Sequence, residues 1–145
     1  MNILFAGSPK SSARILEFLF KKDDISVVGA ITQPDKRSGR GKNLIESDVS
    51  LNANILGIRA FKPENLNTQE IKDEISSLEI DFLVVIAYGK IIPEWLLKLP
   101  KISPINIHFS LLPKYRGASP IQTSLINGDT AVSYTHLTLP TTMLV

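Results

Sequence analysis

The sequence predicts an α/β domain: a doubly wound, mostly parallel sheet with helices on both faces. Three observations carry this. Strand-like and helix-like segments alternate along the chain. The strand-like runs are continuously apolar rather than alternating, as in strands covered on both sides. Several of them stop at Gly or Pro, where open α/β sheets turn out of the sheet.

Taken in order, Ile3 to Ala6 is a short apolar run ended by Gly7-Ser8-Pro9, a first buried strand. Ala13, Leu16, Leu19 and Phe20 recur at helical spacing and predict a helix over about Ala13 to Lys22. Ile25 to Thr32, rich in Val and Ile, is a second strand. A polar loop follows from Gln33 to Lys42. Leu51 and Ile55 mark a weak second helix, and Ile58 to Phe61 a short strand. Asn67, with Glu70 three residues on, is the expected N-cap of a helix whose apolar face is Ile71, Ile75 and Leu78. Phe82 to Ala87 reads FLVVIA, with no polar residue, and is the strongest buried strand. Tyr88-Gly89 ends it, and Pro93 to Leu99 is a helical turn carrying Trp95. Ile105 to His108 is a short buried strand, and a helix covers about Pro120 to Asn127.

Composition sets bounds. At 145 residues the chain suits one domain with a sizeable core. It has 43% hydrophobic and 21% charged residues, ordinary for a soluble globular protein. Zero cysteines exclude disulfides, thiolate zinc sites and a cysteine nucleophile, and fit a reducing cytoplasm. The two histidines, His108 and His136, are far apart in the chain, so no metal site is expected. Net charge is +2, so nucleic-acid contact requires a local basic patch. Neither a signal peptide nor an apolar run near the ~18 residues of a membrane span is expected. After Asp129 the composition changes: residues 130–145 hold no Asp, Glu, Lys or Arg, and five of the sixteen are Thr. This segment reads either as an edge strand with an apolar tail, or as foreign sequence from a shifted frame or a junction.

Two segments carry candidate chemistry. In the Ile105–His108 strand, Ile105 and Ile107 share one face while Asn106 and His108 share the other. A carboxamide can donate to an oxygen that gains negative charge, and an imidazole can move a proton near neutral pH. Together they suit attack of an amine on a carbonyl carbon. On spacing alone, the plainer reading is a polar pair satisfying backbone groups of the next loop. The Gln33–Lys42 loop holds Lys36, Arg37, Arg40 and Lys42 against Asp35, with Gly39 and Gly41 between. Such a loop can follow a phosphate backbone, although a solvated loop without a partner is the plainer reading of the composition. It is not a P-loop, because Lys36 and Asn43 stand where Gly and Ser or Thr are needed. Gly7-Ser8-Pro9-Lys10 lacks G-x-G-x-x-G, so dinucleotide binding is not supported. Read alone, Tyr88-Gly89 and Trp95 are core and turn residues.

Several of these segments occur together in one order: ILFAGSP from Ile3, TQPD from Thr32, GRGK from Gly39, Asp81 with Ala87-Tyr88-Gly89, Asn106-Ile107-His108, SLLP from Ser110 and Arg116-Gly117-Ala118. In that order they resemble the N-terminal catalytic domain of the methionyl-tRNA formyltransferase family, over about residues 1–130. The resemblance implies a Rossmann-like formyltransferase domain, incomplete over residues 1–130, with an atypical tail at 131–145. It implies transfer of a formyl group from 10-formyltetrahydrofolate to the α-amino group of methionyl initiator tRNA, a one-carbon step of translation initiation in the cytoplasm. Asn106 would polarise the formyl oxygen and His108 would handle the amine proton. Tyr88, Gly89, Ser110, Leu111, Leu112 and Pro113 would border the folate pocket. Lys36, Arg37, Arg40 and Lys42 would reach the tRNA, and the protein would act as a monomer, with no metal and no membrane. Two departures stand against full activity. The family's third catalytic residue is an aspartate, yet Leu144 stands near its place and no acid follows Asp129. The family's C-terminal barrel is also absent, so the chain is expected to be nearly inactive. The alternatives are formyl transfer to a small amine, such as a sugar nucleotide, and a non-catalytic folate-binding α/β fragment.

Overall fold

A computed structural model describes residues 1–38, 43–117 and 119–129. Strand β1 (Asn2–Gly7) leads into helix α1 (Lys10–Phe20), and β2 (Ser26–Ile31) follows. Then come β3 (Lys36–Ser38), β4 (Asn43–Ile45), α2 (Asp48–Ile55) and β5 (Ala60–Phe61). Helix α3 (Gln69–Ser76), β6 (Phe82–Ile86), α4 (Glu94–Lys98), β7 (Ser103–Asn106) and α5 (Pro120–Ile126) complete the described order. Five strands form one sheet in the order β5-β2-β1-β6-β7, and every neighbouring pair is parallel.

The predicted double winding is visible in the core. Alternate residues of the inner strands enter two clusters on opposite faces. Ile3, Phe5, Val84 and Ile86 pack with Ala13 and Leu16 of α1 and Val49 and Ala53 of α2. Leu4, Ala6, Ile31 and Leu83 pack with Ile75 of α3 and Leu96 of α4. β1 and β6 lie in the middle of the sheet, which is why their sequences read as unbroken apolar runs.

Several local expectations are corrected. Helix α1 begins at Lys10 rather than Ala13, because Pro9 holds the extended conformation of an N-cap. Helix α2 exists, but Leu51 and Ile55 face solvent, and Val49, Ser50 and Ala53 form its buried side. Small residues on that side let α2 lie close to its neighbours. The N-cap of α3 is Thr68, not Asn67. The Asn67 carboxamide oxygen instead accepts from the Trp95 indole at 3.2 Å. The Gln33–Lys42 stretch is not wholly loop, since β3 pairs antiparallel with β4 and Arg37 stands opposite Leu44. The strand expected over Ile105–His108 ends at Asn106 and is half-buried, because β7 has only β6 beside it among the described residues.

Gly7 closes β1 where strand, helix and neighbouring strand converge. A Cβ there would stand 2.8 Å from the Ile86 carbonyl oxygen and 2.8 Å from Ser12 Cβ. Ser12 cannot withdraw freely, since its buried hydroxyl donates to that same Ile86 oxygen at 2.7 Å. Gly7→Ala is therefore expected to destabilise by roughly 1–3 kcal/mol through overpacking. Urea unfolding would show it as a lower midpoint at unchanged slope, and an unchanged midpoint would contradict it.

Tyr88 follows β6 and is buried in the core, where its hydroxyl has no hydrogen-bond partner among the described residues. Burial pushes its phenol up to about 12. The unfolded phenol titrates near 10, so the folded state holds its proton more tightly between about pH 10 and pH 12. Stability is intact below that window and is lost as pH rises through it. Tyr88→Phe removes the orphan hydroxyl and with it this pH dependence. Its stability advantage over the parent chain is expected to widen by on the order of 2 kcal/mol across that window. Parallel denaturant unfolding of the two proteins at several alkaline pH values measures it, and a constant difference would contradict it.

Candidate functional site

The site forms at the carboxyl ends of the parallel strands, where the backbone leaves the sheet. Asn106 is registered beside Val85 in the β6–β7 pair, and the Ile107 amide donates to the Val85 carbonyl at 2.9 Å. Ile107 packs into the α1–α2 cluster, while Val85 packs on the α3–α4 side. Asn106 is thereby set on the side opposite Ile107, as strand periodicity requires.

The neighbouring turn is held in an unusual shape. Ala87 has φ of 45° and Gly89 has φ of 80°, both in the left-handed region. For Ala87 that conformation is uncommon and must be imposed by its surroundings. The Tyr88 carbonyl accepts from Ser8 Oγ at 3.0 Å and from the Gln33 amide nitrogen at 2.8 Å. The ends of β1, β2 and β6 are thus tied around one oxygen atom. Sequence reasoning passed over Ser8 and Gln33 in this role. The available signal was their position, each a polar residue just past a buried strand.

A cavity of about 470 Å³ opens beside this turn. Asn106 and His108 both line it, with Tyr88 and Gly89. Ile91, Ile92 and Leu97 supply apolar wall. A mostly apolar cleft with a few convergent polar groups is the usual form of a small-molecule site. The Asn106 carboxamide lines the cleft and can donate from its amide nitrogen.

His108 is held at both ring nitrogens. Nδ1 lies 2.9 Å from Ser110 Oγ, and Nε2 lies 3.2 Å from the Gly117 carbonyl oxygen. A carbonyl only accepts, so Nε2 carries a proton in this arrangement. The Ser110 hydroxyl is 2.8 Å from the Lys114 carbonyl and donates to it. All three bonds form at once when the ring has protons on both nitrogens. With a proton on Nε2 alone, Ser110 must turn its hydroxyl from Lys114 to the ring. In either case Nε2 is already protonated, and it can accept a proton only in the other tautomer, with Nδ1 donating to Ser110 Oγ, once the Gly117 carbonyl has moved off.

The other expected site residues divide. Ser110 is buried and supports His108, Leu111 and Leu112 are half-buried, and Pro113 is exposed; none of the four lines this cavity. Lys36 and Arg37 are exposed on β3. Arg40 and Lys42 lie outside the described residues, as does the tail from 130 to 145. Among the described residues, no group of three or more His, Cys, Asp or Glu side chains is placed to hold a metal ion. No helix among them is long and apolar enough to cross a membrane.

Comparison with known proteins agrees with this geometry. A family profile described as formyl transferase matches residues 1–139. The chain is 49% identical over 140 residues to a methionyl-tRNA formyltransferase of Mycoplasmopsis pulmonis, covering 95% of this chain and 47% of that protein. It is 46% identical over 129 residues to the methionyl-tRNA formyltransferase of Thermotoga neapolitana, covering 89% of this chain and 41% of that protein. The chain therefore spans about half the length of the curated relatives it matches, or somewhat less. Its fold is similar to the crystal structure of phosphoribosylglycinamide formyltransferase from Anaplasma phagocytophilum. The TM-score is 0.66 at 22% identity, with 88% of this chain and 59% of that one covered. A parallel sheet of this order, with a carboxamide and an imidazole at its carboxyl edge and these relatives in sequence and in fold, identifies the chain as a member of the formyl transferase family.

Proposed function

We propose that this chain forms the transfer site of an enzyme that passes a formyl group from 10-formyltetrahydrofolate to the α-amino group of methionine on initiator tRNA. The observation that carries the reading is the shared cavity: Asn106 and His108 line one mostly apolar cleft beside the Ala87–Gly89 turn. Near-half identity to proteins named for this activity supports the choice of acceptor.

The chemistry follows from the two side chains. The amine attacks the formyl carbon, and a new carbon–nitrogen bond forms as the carbonyl oxygen becomes negative. The Asn106 amide donates to that oxygen, an interaction stronger in the tetrahedral intermediate than in the planar formyl group. Once Gly117 has left Nε2 and the ring holds its one proton on Nδ1, donated to Ser110 Oγ, His108 takes a proton from the attacking nitrogen at Nε2. The bond to the donor nitrogen then breaks, and the same proton is returned to that leaving nitrogen. Tyr88 and Gly89 border the folate in the cleft, while Ser110, Leu111, Leu112 and Pro113 form its outer support. The exposed Lys36 and Arg37, with Arg40 and Lys42, meet the tRNA phosphates.

On this reading residues 1–130 act as one formyltransferase unit, incomplete and working as a monomer in the cytoplasm, and 131–145 are an atypical tail of the sequence. No acid follows Asp129, so no carboxylate from that part of the sequence orients His108. Turnover by these 145 residues is accordingly slow. A small amine, such as a sugar nucleotide, is the second reading, because the cleft residues do not by themselves select the acceptor.

Single-turnover formyl transfer separates these readings. Asn106→Ala and His108→Ala are each expected to slow the residual transfer to methionyl-tRNA by about 100-fold or more. Joint replacement of Arg40 and Lys42 by Gln is expected to weaken tRNA use while sparing a small amine acceptor. Undiminished transfer in the first two variants would overturn the mechanism. Equal loss with both acceptors in the third would overturn the tRNA assignment.

A further inference from the structure

We infer that Lys62 is a positioning residue that clamps both feet of the basic β3–β4 hairpin to the sheet and so presents Lys36 and Arg37 to nucleic acid. The inference rests on the tRNA reading above. Asp35 immediately precedes β3, Glu46 immediately follows β4, and Lys62 immediately follows β5. The Lys62 ammonium lies 3.0 Å from each Asp35 carboxylate oxygen and 3.2 Å from Glu46 Oε2. One side chain therefore joins the two ends of the hairpin and holds both beside the β5 edge.

The hairpin needs such a fastening. Its strands have three residues each, and Asn43, Leu44 and Ile45 are all exposed. A two-stranded ribbon with so little burial is marginal by itself. Glu46 is further tied to α2, since its Oε2 accepts from Ser50 Oγ at 2.6 Å. Ser47, the N-cap of α2, bonds Thr32 Oγ1 at 2.6 Å and accepts from the Ser50 amide at 3.0 Å. The feet of the hairpin are thus built into the end of β2 and the start of α2.

An exposed ion pair would contribute little. Here the three side chains are 22–34% exposed, the contact is bidentate on Asp35, and it spans 27 and 16 residues of chain. The hydrogen bond from Ser50, and then Lys62, holds the Glu46 carboxyl below its usual range. Burial works against the Lys62 charge, but the bonds to Asp35 and Glu46 outweigh it and raise its pKa. Both directions are those of a formed ion triad. Without the ammonium, two carboxylates would be left within about 6 Å of each other at the hairpin base, and like charges at that distance repel.

The test must separate clamping from simple charge. Lys62→Met removes the clamp and one positive charge, Lys62→Arg keeps both, and Asp35→Ala/Glu46→Ala breaks the clamp while adding positive charge overall. Backbone order parameters of Lys36–Ser38 and Asn43–Ile45 report the clamp. Fluorescence anisotropy with an initiator-tRNA transcript labelled at its 3′ end reports binding. Lys62→Met and the double variant are both expected to lose hairpin order, to below about 0.6. Both are expected to bind the transcript about fivefold more weakly, with Lys62→Arg close to the parent in order and affinity. Unchanged order in Lys62→Met overturns the clamp. Lost order with tighter binding by the double variant shows charge alone at work and overturns the positioning role. No binding of the transcript by the parent chain overturns the acceptor reading, and the inference with it, whatever the order parameters show.

Discussion

The site depends on one pairing, that of β6 with β7. Val85 and Asn106 are registered partners, and the Ile107 amide closes the last rung on the Val85 carbonyl. A slip of one residue would turn Asn106 toward the α1–α2 cluster. The pairing is protected from that slip because Ile107 and Phe109 pack against the α1–α2 cluster. The same end of the sheet carries the Ala87–Gly89 turn, held by Ser8 and Gln33 through the Tyr88 carbonyl. Core packing, not local preference, thus sets where the carboxamide stands.

Two segments extend from this rigid edge and differ in how they are held. The 110–117 segment folds back over His108 through Ser110 and Gly117. Its far end is fixed by Tyr115, whose hydroxyl donates to Asp129 at 2.6 Å. The hairpin leaves the opposite half of the sheet and is held at its feet by Lys62. The proposed proton handling and acceptor contact would thus fall on separate segments that share a scaffold. The proposed chemistry needs movement in the first, because Gly117 must release Nε2.

Much of this was legible in the residues. The continuous runs of β1 and β6 gave the parallel sheet, since only strands covered on both sides can be apolar at every position. The strand period applies only as far as Asn106, where β7 ends, and His108 stands beyond it. Periodicity could not give the hairpin, whose strands Lys36–Ser38 and Asn43–Ile45 are too short and polar to show a β pattern. It gave α2 but not its buried face, because a face of Val, Ser and Ala can pack closely while Leu51 and Ile55 stay in water. Asn67 had the right type for a cap, but a distant indole takes its oxygen. The Lys62 triad and the Ser110–His108 bond arise only when separated segments meet, and no local rule anticipates them. The residue patterns alone left the roles open, and those proposed above follow the family resemblance.

The cleft beside Asn106 and His108 is the point on which the account turns, and a folate titration followed by nuclear magnetic resonance tests it most directly. The ligand would be a reduced folate lacking a transferable formyl group, added to the isotope-labelled chain. We expect saturable shifts in the Asn106 side-chain amide, the His108 ring and the Gly89–Ile92 backbone, with the Lys36–Ser38 hairpin strand unmoved. Saturable binding that leaves the Asn106 and His108 signals in place, or no binding at all, would contradict the assignment.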